Sequence, residues 1–203
     1  MFIREMSLAE FKEFANTHFI GNFHESINYA LIKAEEGFEY EFIAYGADDI
    51  VGAALILYKK IGNVYFGYSP RGFLIDFYNS DLLKAFTRKV KEFFLRKGFA
   101  FIKINPEITY SVIDFERKSK IINSRNKELI NNLKELGYDK LKDSLYFESL
   151  LPKYTPVIYL PTYDFNNLDV NLVRSVRETE LKGIKLVSRG EEELEKFYSF
   201  VED

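Results

Sequence analysis

The sequence predicts an α/β (α+β) fold, a mixed β-sheet flanked by helices, followed by the beginning of a second unit of the same kind. Three observations lead there. Strand-like runs and helix-period segments follow one another in the order strand, two helices, three strands, helix, strand, which calls for a mixed sheet with helices packed on it. The three central strand runs are separated only by "ADD" and "IGN", spacers short and polar enough for hairpins. Near the C-terminus, "IKLVSRGEEELEKFYSF" repeats the strand, cap and helix layout of "FIREMSLAEFKEFA", as if the chain begins its own fold again.

The elements follow in order. "FIRE" is a short strand, and "SLAE" has the Ser-x-x-Glu spacing of a capping box that starts a helix at Ser7, with Leu8, Phe11, Phe14 and Ala15 on one face. A second helix is expected from about Glu25 to Gly37, with Ile27, Ala30, Leu31 and Ala34 inward. Strands are expected at "YEFIAYG", "VGAALILYKK" and "NVYFGYS". A long helix from about Ser80 to Lys97 carries an apolar stripe through Leu82, Leu83, Phe86, Val90, Phe93 and Phe94, is closed by Gly98, and leads into the strand "FAFIKINP". "NSRNKELINNLKELG" is another amphipathic helix, through Leu129, Ile130, Leu133 and Leu136, and "SLYFESL" and "TPVIYLP" read as further strands. The polar stretch "TYDFNNLD" after Pro161 is the best linker, and Ser188 with Glu191 has the spacing of a second capping box.

Composition removes several classes. With 47% hydrophobic and 29% charged residues the chain is globular, and with no cysteine it has no disulfide framework, thiolate zinc site or cysteine nucleophile. A reducing, cytoplasmic setting is the expectation, and since no apolar run reaches the length of a membrane span, any contact with the inner face of the membrane is peripheral. Charge is uneven: residues 1–50 hold 3 Lys/Arg against 10 Asp/Glu, whereas residues 51–103 hold 10 against 3. The basic excess follows "YSPRGFLIDF" and suits either a solvated helix surface or a phosphate-bearing partner. The two histidines, His18 and His24, lack the i, i+4 spacing of a metal site and have no triad context, and neither a GxxxxGK[ST] nor a GxGxxG loop occurs. No metal and no cofactor is expected. What remains is group transfer by positioning, in which the protein orients a nucleophile and an already activated donor.

The layout resembles that of the GNAT acyltransferases, yet the [RQ]-x-x-G-x-[GA] loop that holds acetyl-CoA is missing. "YSPRGFLIDF", the basic helix after it and "FAFIKINPEI" resemble the Y-x-P-R-G-P-hydrophobic-x-D element, helix and hydrophobic-K-x-x-P strand of the FemABX family of peptidoglycan aminoacyltransferases. "NFHESINYALIK" is similar in spacing to that family's F-x-Q-S-x-x-W-x-x-x-K segment, and "VRSVRETELKGIKLV" to its arginine-rich helix and following strand. The resemblance covers nearly the whole chain. It implies two GNAT-like lobes, with residues 1–154 forming the first and 155–203 the beginning of the second, the chain ending inside that lobe. It also implies transfer of an amino acid from aminoacyl-tRNA to the stem peptide of a UDP-linked or lipid-linked muramyl pentapeptide. Glu25, Tyr29 and Phe73 depart from the family's Gln, Trp and Pro, and Glu25 adds a negative charge.

The same resemblance supplies the candidate substrate-binding residues, Lys33, Tyr68, Arg71, Asp76, Arg174 and Arg177, without naming a catalytic one. Lys33 matches the position that contacts the precursor's diphosphate; otherwise it is an ordinary lysine on a polar helix face. Arg71 either binds ligand or pairs with Asp76 to fix the turn, and Asp76 either orients the attacking amine or orders the loop. Arg174 and Arg177, three residues apart on one helix, are spaced to reach one phosphate together. Lys33, Arg71 and Arg177 are expected to share a cleft. Two other functions stay open: a noncatalytic half-module that binds the precursor, and a CoA-dependent N-acyltransferase with an atypical loop.

Overall fold

The computed structural model describes residues 1–114, 118–141 and 163–201. The chain divides into two compact units, Met1–Lys142 and Asp143–Asp203.

The first unit begins with β1 (Phe2–Glu5) and α1 (Leu8–Thr17). The expected capping box is formed: the Ser7 hydroxyl accepts from the Glu10 N–H while the Glu10 carboxylate accepts from the Ser7 N–H. A 3-10 turn, Phe23–Glu25, precedes α2 (Ile27–Glu35). That helix starts at Ser26 rather than at Glu25, because the Ser26 side chain accepts from the Tyr29 N–H at 3.2 Å and so satisfies a donor the first turn leaves free. Tyr29 and Ala30 are buried, whereas Leu31 and, on α1, Leu8 are exposed, so the inner faces are rotated from those expected.

The sheet contains β1, β2 (Glu39–Gly46), β3 (Ile50–Ile61), β4 (Val64–Ser69) and β5 (Phe99–Ile104) in sequence order. β1 to β4 are antiparallel neighbours; β4 and β5 are parallel. A parallel pair needs a crossover. It is α3 (Ser80–Arg96), capped by the Asn79 side chain and ended by Gly98 at φ +84°. The expected mixed sheet flanked by helices is thus present.

The alternation of side chains along β2 and β3 sorts the core into two layers. Phe42, Ala44, Ala53, Leu55 and Leu57 face Phe11, Tyr29 and Ala30 of α1 and α2. Ile43, Tyr45, Ala54 and Ile56 face Leu83, Phe86, Val90 and Phe94 of α3, with Leu129 and Leu133 of α4 (Ser124–Glu135) at the margin. Lys97, at the end of α3, bonds Glu5 at 2.7 Å and Glu41 at 2.6 Å and so ties the helix to β1 and β2. Between β5 and α4 lies an antiparallel pair, β6 (Ser111–Asp114) and β7 (Ser119–Ile122), which is not among the elements expected from the sequence.

The second unit contains α5 (Val170–Leu181), a 3-10 turn at Glu191–Glu193 and α6 (Leu194–Val201). The expected strands "SLYFESL" and "TPVIYLP" lie outside the described residues. "IKLV", residues 184–187, forms no strand among the described residues, since a strand exists only where a neighbour completes its ladder. Ser188 does not cap the following turn; Gly190 stands at its start and donates to the Glu192 carboxylate.

Candidate functional site

The carboxyl end of the parallel β4–β5 pair is where an open α/β sheet offers room for a ligand. Here the chain leaves β4 through Ser69, Pro70, Arg71 and Gly72. The Gly72 N–H donates to the Ser69 carbonyl at 3.1 Å, closing a β-turn with Pro70 at its second position and Arg71 at its third. Arg71 has φ +58° and Gly72 φ +93°. Left-handed backbone is open to glycine and costs an arginine about 1 kcal/mol. The Ser69 hydroxyl donates to the Gly72 carbonyl, which tightens the turn further.

After the turn the chain rejoins β3, where Ala53 and Leu74 exchange both backbone hydrogen bonds. Leu57 pairs with Tyr68, so between the two pairs three residues of β3 face five on the other segment, and the turn is a two-residue insertion. Gly72 is required for a second reason: a Cβ there would meet Pro106 at 3.1 Å. The turn is anchored by Asn105, just past β5. The Asn105 Oδ1 accepts from the Arg71 N–H at 2.9 Å and from the Tyr68 hydroxyl at 3.0 Å. Burial pushes the Tyr68 phenol up to about 12, so it stays a protonated donor.

The Arg71 guanidinium makes no ion pair among the described residues, and Asp76 does not hold it. Asp76 instead accepts from the Tyr78 N–H at 2.9 Å and shapes the entry to α3. The Arg71 charge is nonetheless felt by Glu25, His24 and Tyr68, and His24 also feels Lys33 and Glu107. Lys33, Tyr68 and Arg71 therefore gather around one electrostatic neighbourhood. Lys33 is not a free cation: its side chain is only 13% exposed, lies over the Tyr29 ring, and is bonded to both Glu36 carboxylate oxygens at 2.7 Å. Arg174 and Arg177 belong to the second unit, exposed on α5.

Glu25 is 1% exposed. Its Oε2 accepts from the Asn22 side chain at 2.8 Å, while Oε1 is buried without a partner. Burial pushes the carboxyl up to about 8, with Arg71 pulling it down and Glu107 pushing it up. At neutral pH the group is a carboxylic acid, so the negative charge expected from replacing Gln by Glu is not there. A pocket of about 400 Å³ lies against Glu25, with Phe11, Lys12, His18, Asn22 and Ser26 in its wall. Burial lowers His18 and His24 below the usual histidine range. Among the described residues, no cluster of three or more His, Asp or Glu is placed to hold a metal, and no helix is long and apolar enough to cross a membrane.

Sequence reasoning missed Asn105 and the buried state of Glu25. The signal for Asn105 was its place before Pro106 at a strand end; its partners lie more than thirty residues away. For Glu25 the signal was its place among aromatic residues, in "NFHESINY".

A model of the FemAB family matches residues 6–203. This chain belongs to the FemAB family. The FemAB chain is 23% identical over 206 residues to the aminoacyltransferase FemA of Staphylococcus aureus (strain bovine RF122 / ET3-1), with 98% of this chain and 49% of the relative covered. The aminoacyltransferase FemA of Staphylococcus epidermidis gives the same identity and coverage. Among solved structures, a crystal structure of FemX superposes with a TM-score of 0.75 at 24% identity, over 97% of the FemAB chain and 48% of the FemX chain. The chain spans about half the length of the relatives it matches.

Proposed function

We propose that this FemAB chain takes part in moving an amino acid from aminoacyl-tRNA to the stem peptide of a peptidoglycan precursor, the step that builds an interpeptide bridge. One observation carries the reading: an arginine without an ion pair among the described residues, held at positive φ where the two parallel strands end. Strain of this kind is kept where a site needs it. The aminoacyltransferase names of the relatives support the class of chemistry.

In this reading residues 1–154 are the first lobe and residues 155–203 begin the second. Arg71 holds a phosphate of the precursor, and Lys33 joins it by exchanging Glu36 for phosphate oxygens. Tyr68 and Asp76 keep the turn and the entry to α3 in place. Arg174 and Arg177 form a phosphate-binding pair of the second unit in its own right. The acceptor amine attacks the aminoacyl ester carbonyl, negative charge gathers on that oxygen, and the tRNA ribose oxygen leaves. The ester is already activated, so orientation and charge stabilisation supply most of the catalysis. The setting is cytoplasmic, with peripheral membrane contact where the precursor is lipid-linked.

Calorimetry with a UDP-linked muramyl pentapeptide tests this. We expect weak binding that falls as salt rises, since the attraction is to phosphate, and that is lost in Arg71→Ala. Saturable binding of acetyl-CoA with no binding of the precursor would replace this reading by CoA-dependent acylation.

A further inference from the structure

We propose that the Asn105 carboxamide is itself a ligand contact, its Nδ2 group donating to an oxyanion of the bound molecule beside the Arg71 guanidinium. This rests on the reading that the β4–β5 end binds an anionic precursor.

The orientation of the amide is forced. A backbone N–H is only a donor, so the Asn105 atom that meets the Arg71 N–H at 2.9 Å must be the oxygen. The Tyr68 hydroxyl donates to the same oxygen at 3.0 Å and occupies its second lone pair. Nδ2, with two N–H donors, is thereby fixed on the other side, and it meets no acceptor among the described residues. An amide whose work was only to anchor the turn would need its oxygen alone. Asparagine supplies in addition a donor pair that no described residue uses.

The neighbour has the same need. Arg71 presents five N–H donors and no ion-pair partner among the described residues. Its backbone N–H is held by the same oxygen that fixes Nδ2, and its charge acts on the Tyr68 phenol bonded to that oxygen, so the guanidinium lies in the same neighbourhood. Glu107, two residues beyond Asn105, is not bonded to either, and the carboxyl of Glu25 is neutral at pH 7. Two adjacent donor groups without acceptors are matched by a group rich in oxygen lone pairs, a phosphate or a carboxylate. A diphosphate satisfies both at once.

The test uses the whole chain, with inorganic pyrophosphate and the UDP-linked muramyl pentapeptide as probes. In proton–nitrogen correlation spectra, the Asn105 side-chain NH2 pair of the wild type should shift saturably with each probe. Asn105→Asp keeps an oxygen for Arg71 and Tyr68 but has no donor; it should retain Tm and exchange protection of the Arg71 amide, yet bind roughly ten- to a hundredfold more weakly. That loss should persist at about 0.5 M salt, where repulsion between unbonded charges is screened. Asn105→Ala should lose the Arg71 protection as well. If the NH2 pair stays still while the wild type binds, or if Asn105→Asp binds within about twofold of wild type, the contact is overturned. Pyrophosphate shifting the pair while the muramyl pentapeptide fails to bind would sink the proposed precursor and leave the amide contact standing. Silence with both probes overturns both.

Discussion

Arg71 meets two opposed demands at one position. Its side chain has no ion-pair partner among the described residues, while its backbone adopts a conformation that glycine adopts at less cost. Arg71→Gly should therefore hold or raise Tm, by up to about 1 kcal/mol of relieved strain, while precursor binding disappears. A fall in Tm with binding intact would show that the arginine serves the fold. Glu25 makes a different kind of prediction. Its carboxyl is raised in the folded state from about 4.5 to about 8, so the folded chain holds this proton more tightly than the unfolded one. That stability is fully present below pH 4.5 and is lost progressively as pH rises from there through 8, with an overall change on the order of 5 kcal/mol. Glu25→Gln, neutral at every pH, should remove this slope. Denaturant titrations of both proteins at pH 5 and pH 9 would measure it, and equal pH dependence in the two would contradict a buried acid at this position.

At the scale of elements, the long periodic segments were readable and the short cooperative ones were not. The stripe of α3 is found where the sequence puts it, because five turns of helix repeat one message and Gly98 ends it. The start of α2 moved because two adjacent residues compete for one cap, and a serine hydroxyl reaches the free N–H groups better than a glutamate does. The β6–β7 pair carries no strong turn signal, and Asn105 acts through partners that only the crossover brings near. Two substitutions separate these contributions. Ser7→Ala removes the α1 cap and should cost about 1 kcal/mol. Phe86→Ala empties a fully buried position packed edge-on against Tyr45 and tilted against Phe73, and should cost about 3–5 kcal/mol. Urea midpoints would rank them, and a Phe86→Ala loss no larger than that of Ser7→Ala would mean that α3 contributes little.

Across the molecule, the two units differ in what they bury. The first has a core on each face of its sheet, whereas no residue of α5 or α6 is buried. A chain of residues 1–141 is therefore expected to unfold in one cooperative transition, with a Tm within about 4 °C of the full chain, since that span corresponds to about 1 kcal/mol for a domain of this size. Loss of cooperativity on truncation would show that the second unit stabilises the first. The repeated layout of the C-terminus was legible as helix and not as strand: α6 is amphipathic within its own sequence, but residues 184–187 depend on a partner strand that sequence periodicity does not supply.

The parallel pairing of β4 and β5 also sets an order of events during folding. β2, β3 and β4 are joined by short turns and can pair soon after each is made, whereas Asn105 reaches Arg71 only when α3 has carried the chain back across the sheet. On the ribosome, a chain shorter than 105 residues has the arginine turn but nothing to lock it. The lock is thus among the last contacts to form. Breaking it should speed unfolding and leave the refolding rate almost unchanged.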